Sequence, residues 1–249
     1  RVPIESPEGF LRWAMELGTE RMSIVLKLNR LDQTHVRIGD SLLVPTVFRP
    51  ELEHAPLPAS VSTLDSVPYF LAVSKQIQAF GAYRFGTLVY WGPTSTGRAE
   101  SPTPAGLFFT NWKSRETIST EDGTWVLKWY FNFHSSRGIS FHQYDLPGYP
   151  ASHACVRMLA PDAEWLYGWA EQWRVSEDGQ TVLAYGTPVL VFGEYDFGAP
   201  QPLWRVLSKD GTQPRITVEQ LEAELAPFLA LIRERVADRL RVVGPPQEP

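Results

Sequence analysis

Between residues 69 and 191 the chain is a series of short aromatic and β-branched runs separated by glycines. Side chains of this type fit the pleated, half-buried surface of a β-sheet, and glycines between the runs favour turns. The runs occupy residues 69–73, 87–91, 106–109, 125–131 and 186–191. Only residues 162–173 have the character of a helix in this region. The pattern therefore predicts a mostly β central domain.

Helices are predicted on the N-terminal side of this domain. Ser6 begins one helix, Gly18 ends it, and Thr19 begins a second. The next segment is rich in proline and serine, a composition typical of an extended linker. The predicted units are a small accessory unit over residues 1–48, a linker over 49–67, and the β domain over 68–197.

A helical extension is predicted over residues 198–249. Thr217 and Gln220 form a capping box, and apolar residues then recur at helical spacing. Pro227 should kink or restart this helix, and Gly244 should end it. The stripe is typical of a helix face packed on its own domain.

Composition narrows the class of protein. Of the 249 residues 43% are hydrophobic, which is enough for a sizeable core. The formal net charge is −5, so nucleic acid is not an expected partner. No apolar run approaches the about 18 residues that a membrane span needs. The sequence opens at Arg1 rather than at a methionine, so a signal or anchor segment could precede it, and the compartment has to be inferred from the chemistry.

Residues 140–158 hold the only cysteine and two of the five histidines. A single cysteine excludes an intrachain disulfide and a thiolate-rich zinc site. A thiol becomes a good nucleophile when a nearby base or positive charge lowers its pKa. Cys155 has His142, His153 and Arg157 close in sequence, within a loop rich in proline and glycine. The segment therefore predicts an activated cysteine.

Other interpretations of Cys155 stay open at this point. It could be an inert buried residue, or it could bind a metal ion together with His142 and His153. The order of the residues fits neither a papain-like site, in which the cysteine precedes the histidine, nor the caspase signature. A phosphate-binding glycine loop, a zinc-protease helix motif and a Gly-x-Ser-x-Gly elbow are all missing from the sequence.

The same residues resemble a known family. His142 followed by Ser-His-Ala-Cys-Val-Arg at 152–157 is similar to the hallmark of the L,D-transpeptidase (YkuD-type) catalytic domain, in which a histidine precedes Ser-His-Gly-Cys and then Arg or Asn. The resemblance extends over about residues 69–191 and includes the segments 95–97, 102–108 and 186–189. Ala154 departs from the family glycine, and the nine residues between His142 and Ser152 form a short spacer.

The resemblance implies a fold and a reaction centre. The fold is an L,D-transpeptidase-like β-sandwich with a small helical N-terminal unit and a C-terminal helix. Cys155 is the implied nucleophile, and His142 is the implied general base, oriented by a backbone carbonyl at Gln143. His153 is implied in catalysis, although a purely structural role in the loop fits it nearly as well.

Further residues are implied around the substrate. The oxyanion would be bound by backbone N–H groups around Ala154. Ser152 is a further candidate for this substrate and oxyanion site, although a purely structural role in the loop fits it nearly as well. Arg157 would organise the site or hold a substrate carboxylate. Tyr130 is a candidate wall of the donor pocket, while its neighbour Trp129 fits the core better. Neither a metal nor a cofactor is implied.

The implied function is peptidoglycan L,D-transpeptidation in cell-wall biogenesis and the maintenance of cell shape. Cys155 would attack a tetrapeptide stem, expel the terminal D-alanine and transfer the acyl group from a thioester to an amine. An L,D-carboxypeptidase and a hydrolase that releases wall-bound protein are alternatives with the same cysteine.

Partners and location follow from the same resemblance. The expected partners are stem peptides, with an envelope protein as a further candidate acceptor, and carbapenem-type β-lactams are expected inhibitors. A secreted, periplasmic or cell-envelope location is expected. Residues 26–45 also resemble the second half of a LysM peptidoglycan-binding module without a recognisable first strand. A non-catalytic wall-binding protein is therefore an alternative from another class.

Overall fold

The computed structural model describes residues 1–119 and 122–245. The helices of this part are α1 (Pro7–Leu17), α2 (Thr19–Asn29), α3 (Ala160–Trp169), α4 (Val218–Leu225) and α5 (Leu229–Val243). The strands are β1 (Val2–Pro3), β2 (Ser41–Leu42), β3 (Phe70–Ser74), β4 (Ala79–Arg84), β5 (Thr87–Ser95), β6 (Gly106–Phe109), β7 (Lys113–Ile118), β8 (Val126–His134), β9 (Ile139–Gln143), β10 (Val156–Met158), β11 (Arg174–Val175), β12 (Val182–Ala184) and β13 (Pro188–Phe192). In the described residues no helix combines the length and the apolar character needed to cross a membrane.

Nine of these strands form one continuous sheet in the order β6-β13-β3-β4-β5-β10-β9-β8-β7. Most neighbours are antiparallel, but β13 runs parallel to β3 and β10 runs parallel to β9. The sheet curls so that its two ends approach each other, and the ring centroids of Phe108 in β6 and Phe133 in β8 are 5.7 Å apart. The prediction of a mostly β, L,D-transpeptidase-like sandwich domain is confirmed.

Both faces of the sheet are covered by apolar side chains. Phe70 and Ala72 of β3 belong to one buried cluster, whereas Leu71 and Val73 belong to a second. This follows from the alternation of side chains along a strand. Since both faces of β3 are buried, its sequence is a continuous apolar run. The second cluster fills the inside of the curl and includes Ala154, next to the cysteine.

The N-terminal helices begin and end where the sequence predicts. The hydroxyl of Ser6 accepts a hydrogen bond from the backbone N–H of Gly9 at 3.0 Å, and Gly18 ends α1 with a φ of +82°. Strands β1 and β2 pair in antiparallel fashion beside the two helices. A strand of two residues such as β1 carries no detectable alternation, which explains why the sequence did not show it. The LysM resemblance of this unit stays a prediction.

The segment that the composition predicts to be an extended linker is instead packed into the protein core. Leu57, Val61, Leu64 and Val67 are at most 4% exposed and belong to the buried cluster that contains Phe70. The backbone N–H of Val61 also donates to the carbonyl of Gly86 at 2.8 Å. The prolines and serines favour an extended backbone, but the apolar residues between them pack into the core and bury the segment.

The C-terminal segment forms two helices rather than one. The side chains of Thr217 and Gln220 make the predicted capping box at the start of α4. The helix stops before Pro227, and α5 begins two residues after it, as the restart prediction requires. α5 ends at Gly244, which has a φ of +84°, and residues 246–249 of the predicted extension lie outside the described residues. α3 ends at Trp169, four residues earlier than the sequence pattern suggests.

Candidate active site

Two adjacent parallel strands bring the histidine and the cysteine of the sequence motif together. His142 lies on β9, opposite Arg157 of β10, and Cys155 directly precedes β10. The side chains of the motif open into one small cleft. Its lining residues are Ser119, Trp125, Leu127, His142, Tyr144, Ser152, His153, Cys155 and Arg157.

The orientation of the His142 ring is fixed by the backbone. Its Nδ1 lies 3.0 Å from the carbonyl oxygen of Gln143. A carbonyl oxygen can only accept a hydrogen bond, so Nδ1 carries the proton and Nε2 of the neutral ring is the acceptor. Burial lowers the pKa of His142 to about 4, although the hydrogen bond to Gln143 opposes this shift. The imidazole is therefore neutral at pH 7, which is the form that can take a proton.

The thiol of Cys155 is partly exposed at the cleft. Its Sγ lies 3.5 Å from the hydroxyl oxygen of Ser140 and 3.9 Å from the carbonyl oxygen of Gly138. Both contacts come from the start of β9 and the turn before it. The sulfur is thus bordered by polar groups on its inner side and by solvent on the other.

The loop before the cysteine is held in a strained conformation. Ala154 has a φ of +78° and is 3% exposed, and the hydroxyl of Ser152 donates to the carbonyl oxygen of Cys155. Ser152 is also tied through its backbone to Thr96 and Arg98. The left-handed conformation explains why glycine is the usual residue in the family pattern at this position. Ser152 thus shapes the loop.

A second loop, which contains Gly97 and Thr103, is hydrogen-bonded to the cysteine loop. The hydroxyl of Thr103 accepts a hydrogen bond from the backbone N–H of Gly97 and donates one to the carbonyl of Ala154, both at 2.8 Å. Gly97 approaches its neighbours closely, because a Cβ there would lie 2.2 Å from the carbonyl oxygen of Ser101. These residues belong to the segments 95–97 and 102–108, which the sequence singled out only by family resemblance.

Arg157 faces the cleft beside an aromatic ring. Its guanidinium carbon lies 4.5 Å from the centre of the Tyr144 ring. Burial lowers the pKa of Arg157, while Tyr144 and Asp145 raise it, and the group stays cationic at pH 7. A planar cation in this position can bind a carboxylate through two hydrogen bonds.

His153 and Tyr130 occupy different positions relative to the thiol. His153 lines the cleft with its ring 5.5 Å from Trp125, and within the described residues its buried Nδ1 has no hydrogen-bond partner. Tyr130 is 5% exposed and is not among the lining residues, but its hydroxyl donates to the carbonyl of Gly138 at 3.1 Å. The tyrosine therefore lies behind the thiol rather than in the cleft.

Sequence reasoning missed several residues that touch this site. Trp125 and Tyr144 form aromatic walls of the cleft, and Ser140 lies against the sulfur. Ser140 was predictable from the sequence as a neighbour of the site, because it lies two residues before His142 on the same strand and therefore faces the same side. Trp125 was not predictable in this way, because it enters the cleft from another hairpin.

Two observations bear on other uses of the chain. No group of three or more His, Cys, Asp or Glu residues within 1–119 and 122–245 is placed to hold a metal ion. A larger cavity of about 370 Å³ lies elsewhere, between α5 and the sheet, and shares no lining residue with the cleft. Its Arg239 is already paired with Glu171 and two backbone carbonyls.

The fold and the site together define a class of protein. It is a mostly β domain that holds a cysteine and a buried, neutral histidine in one cleft. Residues 68–191, about half of the chain, match the model of the YkuD family, described as the L,D-transpeptidase catalytic domain. The central domain of this chain therefore belongs to the L,D-transpeptidase catalytic-domain family. No curated protein matches the sequence.

Solved structures with a similar fold include several L,D-transpeptidases. One from Stackebrandtia nassauensis is 23% identical in sequence, and the match covers 51% of this chain and 57% of the Stackebrandtia chain, with a TM-score of 0.42. One from Mycobacterium tuberculosis H37Rv is 24% identical, with 51% and 58% covered and a TM-score of 0.40. One in complex with imipenem is 20% identical, with 50% and 59% covered and a TM-score of 0.40. The chain thus spans less than two thirds of the length of these proteins.

Proposed function

We propose that this protein is a peptidoglycan L,D-transpeptidase that uses Cys155 as its nucleophile and His142 as its general base. The observation that carries the proposal is the pair of strands β9 and β10, which places a partly exposed thiol and a neutral, backbone-oriented imidazole in one cleft. The family of the central domain supports the choice of reaction.

The proposed chemistry is acyl transfer through a thioester. Nε2 of His142 takes the thiol proton, and the thiolate of Cys155 attacks the carbonyl carbon of the third stem residue. The imidazolium then protonates the leaving nitrogen, so that D-alanine departs and the acyl group remains on sulfur. An amine attacks the thioester, gives up its proton to His142 and releases the thiol, which completes a ping-pong cycle.

The cleft offers groups for the transition state and for substrate binding. Backbone N–H groups of the 153–155 turn support an oxyanion, at roughly 3 kcal/mol for each well-placed donor. Arg157 supports the binding of a stem carboxylate, because its guanidinium faces the cleft beside Tyr144. Trp125 supplies an apolar wall on the side of His153.

Product analysis tests the proposal. Purified protein is mixed with a tetrapeptide-stem muropeptide and an amine acceptor, and the products are identified by mass. We expect a cross-linked or amine-exchanged product, none with Cys155→Ala, and orders of magnitude less with His142→Ala. Transfer that survives in the Cys155→Ala variant would rule out the proposed nucleophile.

The same experiment separates transfer from hydrolysis. A tripeptide formed without any amine adduct, and only when Cys155 is present, would make the protein an L,D-carboxypeptidase. A thermal melt of Cys155→Ala that matches the wild type is the control, because it shows that the loss of product is chemical. No cysteine-dependent change at all would favour a wall-binding protein.

Inhibition by β-lactams is part of the proposal. A carbapenem presents a strained acyl donor to a thiolate, and the ring opens when the sulfur attacks. We expect exposure to imipenem to raise the protein mass by the mass of one inhibitor, with no change in Cys155→Ala. An unchanged mass in the wild-type protein would contradict the expectation.

Because its proposed substrate is peptidoglycan, the protein is proposed to act outside the cytoplasmic membrane, in the periplasm or cell envelope. Fractionation of cells with detection by a specific antibody tests this location. Recovery in the cytoplasmic fraction alone would contradict it.

A further inference from the structure

Behind the thiol lies a group of buried polar side chains that the proposed reaction does not use. Ser140 on β9 is fully buried, and Asn132 on the neighbouring strand β8 is directly paired with it and 1% exposed. Tyr130, two residues before Asn132 on β8, completes the group. These three residues are called the polar cluster. Burying a polar group costs free energy unless the group is hydrogen-bonded. The partner of each hydroxyl and amide proton in the polar cluster therefore matters.

The hydrogen bonds of the polar cluster converge on the Tyr130 hydroxyl. Tyr130 donates its one proton to the carbonyl of Gly138 at 3.1 Å, and its oxygen accepts from the Asn132 amide at 3.0 Å. Burial raises the pKa of the Tyr130 phenol, whereas hydrogen bonds from Asn132 and Ser140 lower it. Tyr130 is therefore a fixed neutral hydroxyl whose oxygen faces Ser140.

Ser140 has one proton and two neighbouring acceptors. One acceptor is the Tyr130 oxygen, and the other is Sγ of Cys155 at 3.5 Å. While the thiol is protonated, sulfur is a weak acceptor, so the serine proton is better used on the tyrosine. A thiolate is a charged acceptor, and hydrogen bonds to charged groups are about twice as strong as neutral ones. Ionisation of the thiol therefore turns the serine hydroxyl toward sulfur.

We propose that Ser140 is a positioning residue that donates a hydrogen bond to the thiolate of Cys155. The role deepens the proposed function and rests on Cys155 being the nucleophile. No covalent bond of Ser140 changes in the cycle. The thiol proton goes to His142, and the serine keeps its own proton.

The thiolate fraction can be measured without any substrate. The rate of alkylation of Cys155 by iodoacetamide is followed by mass as a function of pH, and its midpoint reports the ionisation of the thiol. We expect Ser140→Ala to raise the midpoint by about one pH unit, which is about a tenfold loss of thiolate below the midpoint. Ser140→Thr keeps the hydroxyl and should restore most of the shift.

A matched control is available on the preceding turn. Ser136 is exposed and its hydroxyl lies 3.3 Å from Nδ1 of His134, so Ser136→Ala removes the same group away from the thiol. This variant should keep the wild-type midpoint. Tyr130→Phe removes the acceptor that competes with sulfur for the Ser140 proton, so it should lower the midpoint rather than raise it.

The outcomes separate this inference from the proposed function. An unchanged midpoint in a folded Ser140→Ala variant overturns the inference, even if Cys155 is the nucleophile. If that variant does not fold, a midpoint that is not lowered in Tyr130→Phe overturns it instead. A raised midpoint together with transfer that survives in Cys155→Ala keeps the hydrogen bond but overturns its catalytic use. In the supported case, the transfer rate of Ser140→Ala at pH 7 falls about tenfold and recovers as the pH is raised.

Discussion

Ala154 holds a left-handed backbone conformation directly before Cys155. Its φ of +78° costs an L-residue with a Cβ about 1–2 kcal/mol, whereas glycine adopts the conformation freely. Glycine would also lose the buried methyl group and gain freedom in the unfolded chain, each worth roughly 1 kcal/mol. The opposing effects nearly cancel, which explains how alanine can stand where the family has glycine.

Substitutions at Ala154 should therefore depend on the shape of the new side chain. We expect Ala154→Gly to change the free energy of unfolding by less than about 1 kcal/mol, because its gains and losses are similar. Ala154→Val should cost more than about 2 kcal/mol, since a β-branched residue rarely adopts a positive φ. Urea unfolding of both variants measures the difference. A Val variant as stable as the Gly variant would show that the loop relaxes to another conformation.

The buried imidazole of His142 makes stability depend on pH. Its pKa of about 4 in the folded protein lies below the ordinary value near 6.5, so below pH 6.5 the unfolded chain binds more protons than the folded one. Stability is therefore highest above pH 6.5 and falls as the pH drops toward 4, by up to about 3 kcal/mol.

The non-titrating variant His142→Gln provides the comparison for this effect. Urea unfolding of both proteins between pH 7.5 and pH 4 should show a steeper loss for the wild type, with the excess confined to the window from about 6.5 to 4. Parallel curves for the two proteins would mean that His142 is not buried in its neutral form.

At the scale of elements, two loops are joined through a single hydroxyl. Thr103 links the backbone of Gly97 to the backbone of Ala154, and its side chain is 1% exposed. Thr103→Val keeps the shape but leaves a buried N–H and a buried carbonyl without that partner. We expect a loss of about 2–4 kcal/mol in the free energy of unfolding and a slower alkylation of Cys155.

Thr110 is a matched control for this substitution. It is also fully buried, and its hydroxyl likewise accepts from the backbone N–H of Thr187 and donates to the carbonyl of Glu171 at 2.6 Å, with the carbonyl of Thr187 farther away at 3.3 Å. Thr110→Val should destabilise the protein by a similar amount but leave the alkylation rate unchanged. Equal effects of both variants on alkylation would show that Thr103 acts only through global stability.

The sequence predicted those elements that depend only on residues close to them along the chain. The capping box at Thr217, the stop at Gly18 and the apolar run of β3 each depend on neighbours within one helical turn or one strand. The packing of residues 55–67 and the pairing of β1 with β2 were not predictable, because contacts distant in sequence decide them.

The candidate site divides in the same way. His142 and Cys155 were predictable because the motif is contiguous, apart from a short spacer. The roles of Trp125 and Thr103 depend on which strands become neighbours in the sheet, and no spacing in the sequence encodes that. The sequence showed that Ala154 departs from the family glycine, but it did not predict whether this residue would keep a positive φ.

At the scale of the whole molecule, one buried lysine joins the N-terminal helices to the catalytic domain. Nζ of Lys27 on α2 lies 2.8 Å from a carboxylate oxygen of Asp162 on α3 and 2.7 Å from Glu51. The Tyr90 hydroxyl on β5 donates to the same oxygen of Asp162 at 2.7 Å. The Lys27 and Asp162 side chains are 4% and 0% exposed, so the pair is largely shielded from solvent.

Removal of the cation should destabilise the whole chain. Lys27→Met fills a similar volume but leaves the Asp162 carboxylate buried without its cation, and breaking a buried pair in this way costs about 3–5 kcal/mol. Lys75→Met is the matched control, because Lys75 is also buried but pairs with Glu194, whose side chain is 82% exposed. That variant should lose about 1 kcal/mol or less from its ion pair.

Two further measurements identify the cause of the loss. The double variant Lys27→Met with Asp162→Asn removes both charges, so it should recover part of the stability that Lys27→Met loses. Lowering the pH should also narrow the gap between Lys27→Met and the wild type, because protonation of Asp162 neutralises the charge left behind. If the double variant is as unstable as the sum of the two single variants, the lysine acts through packing and not through its charge. In that case α2 is held to the catalytic domain by its apolar contacts.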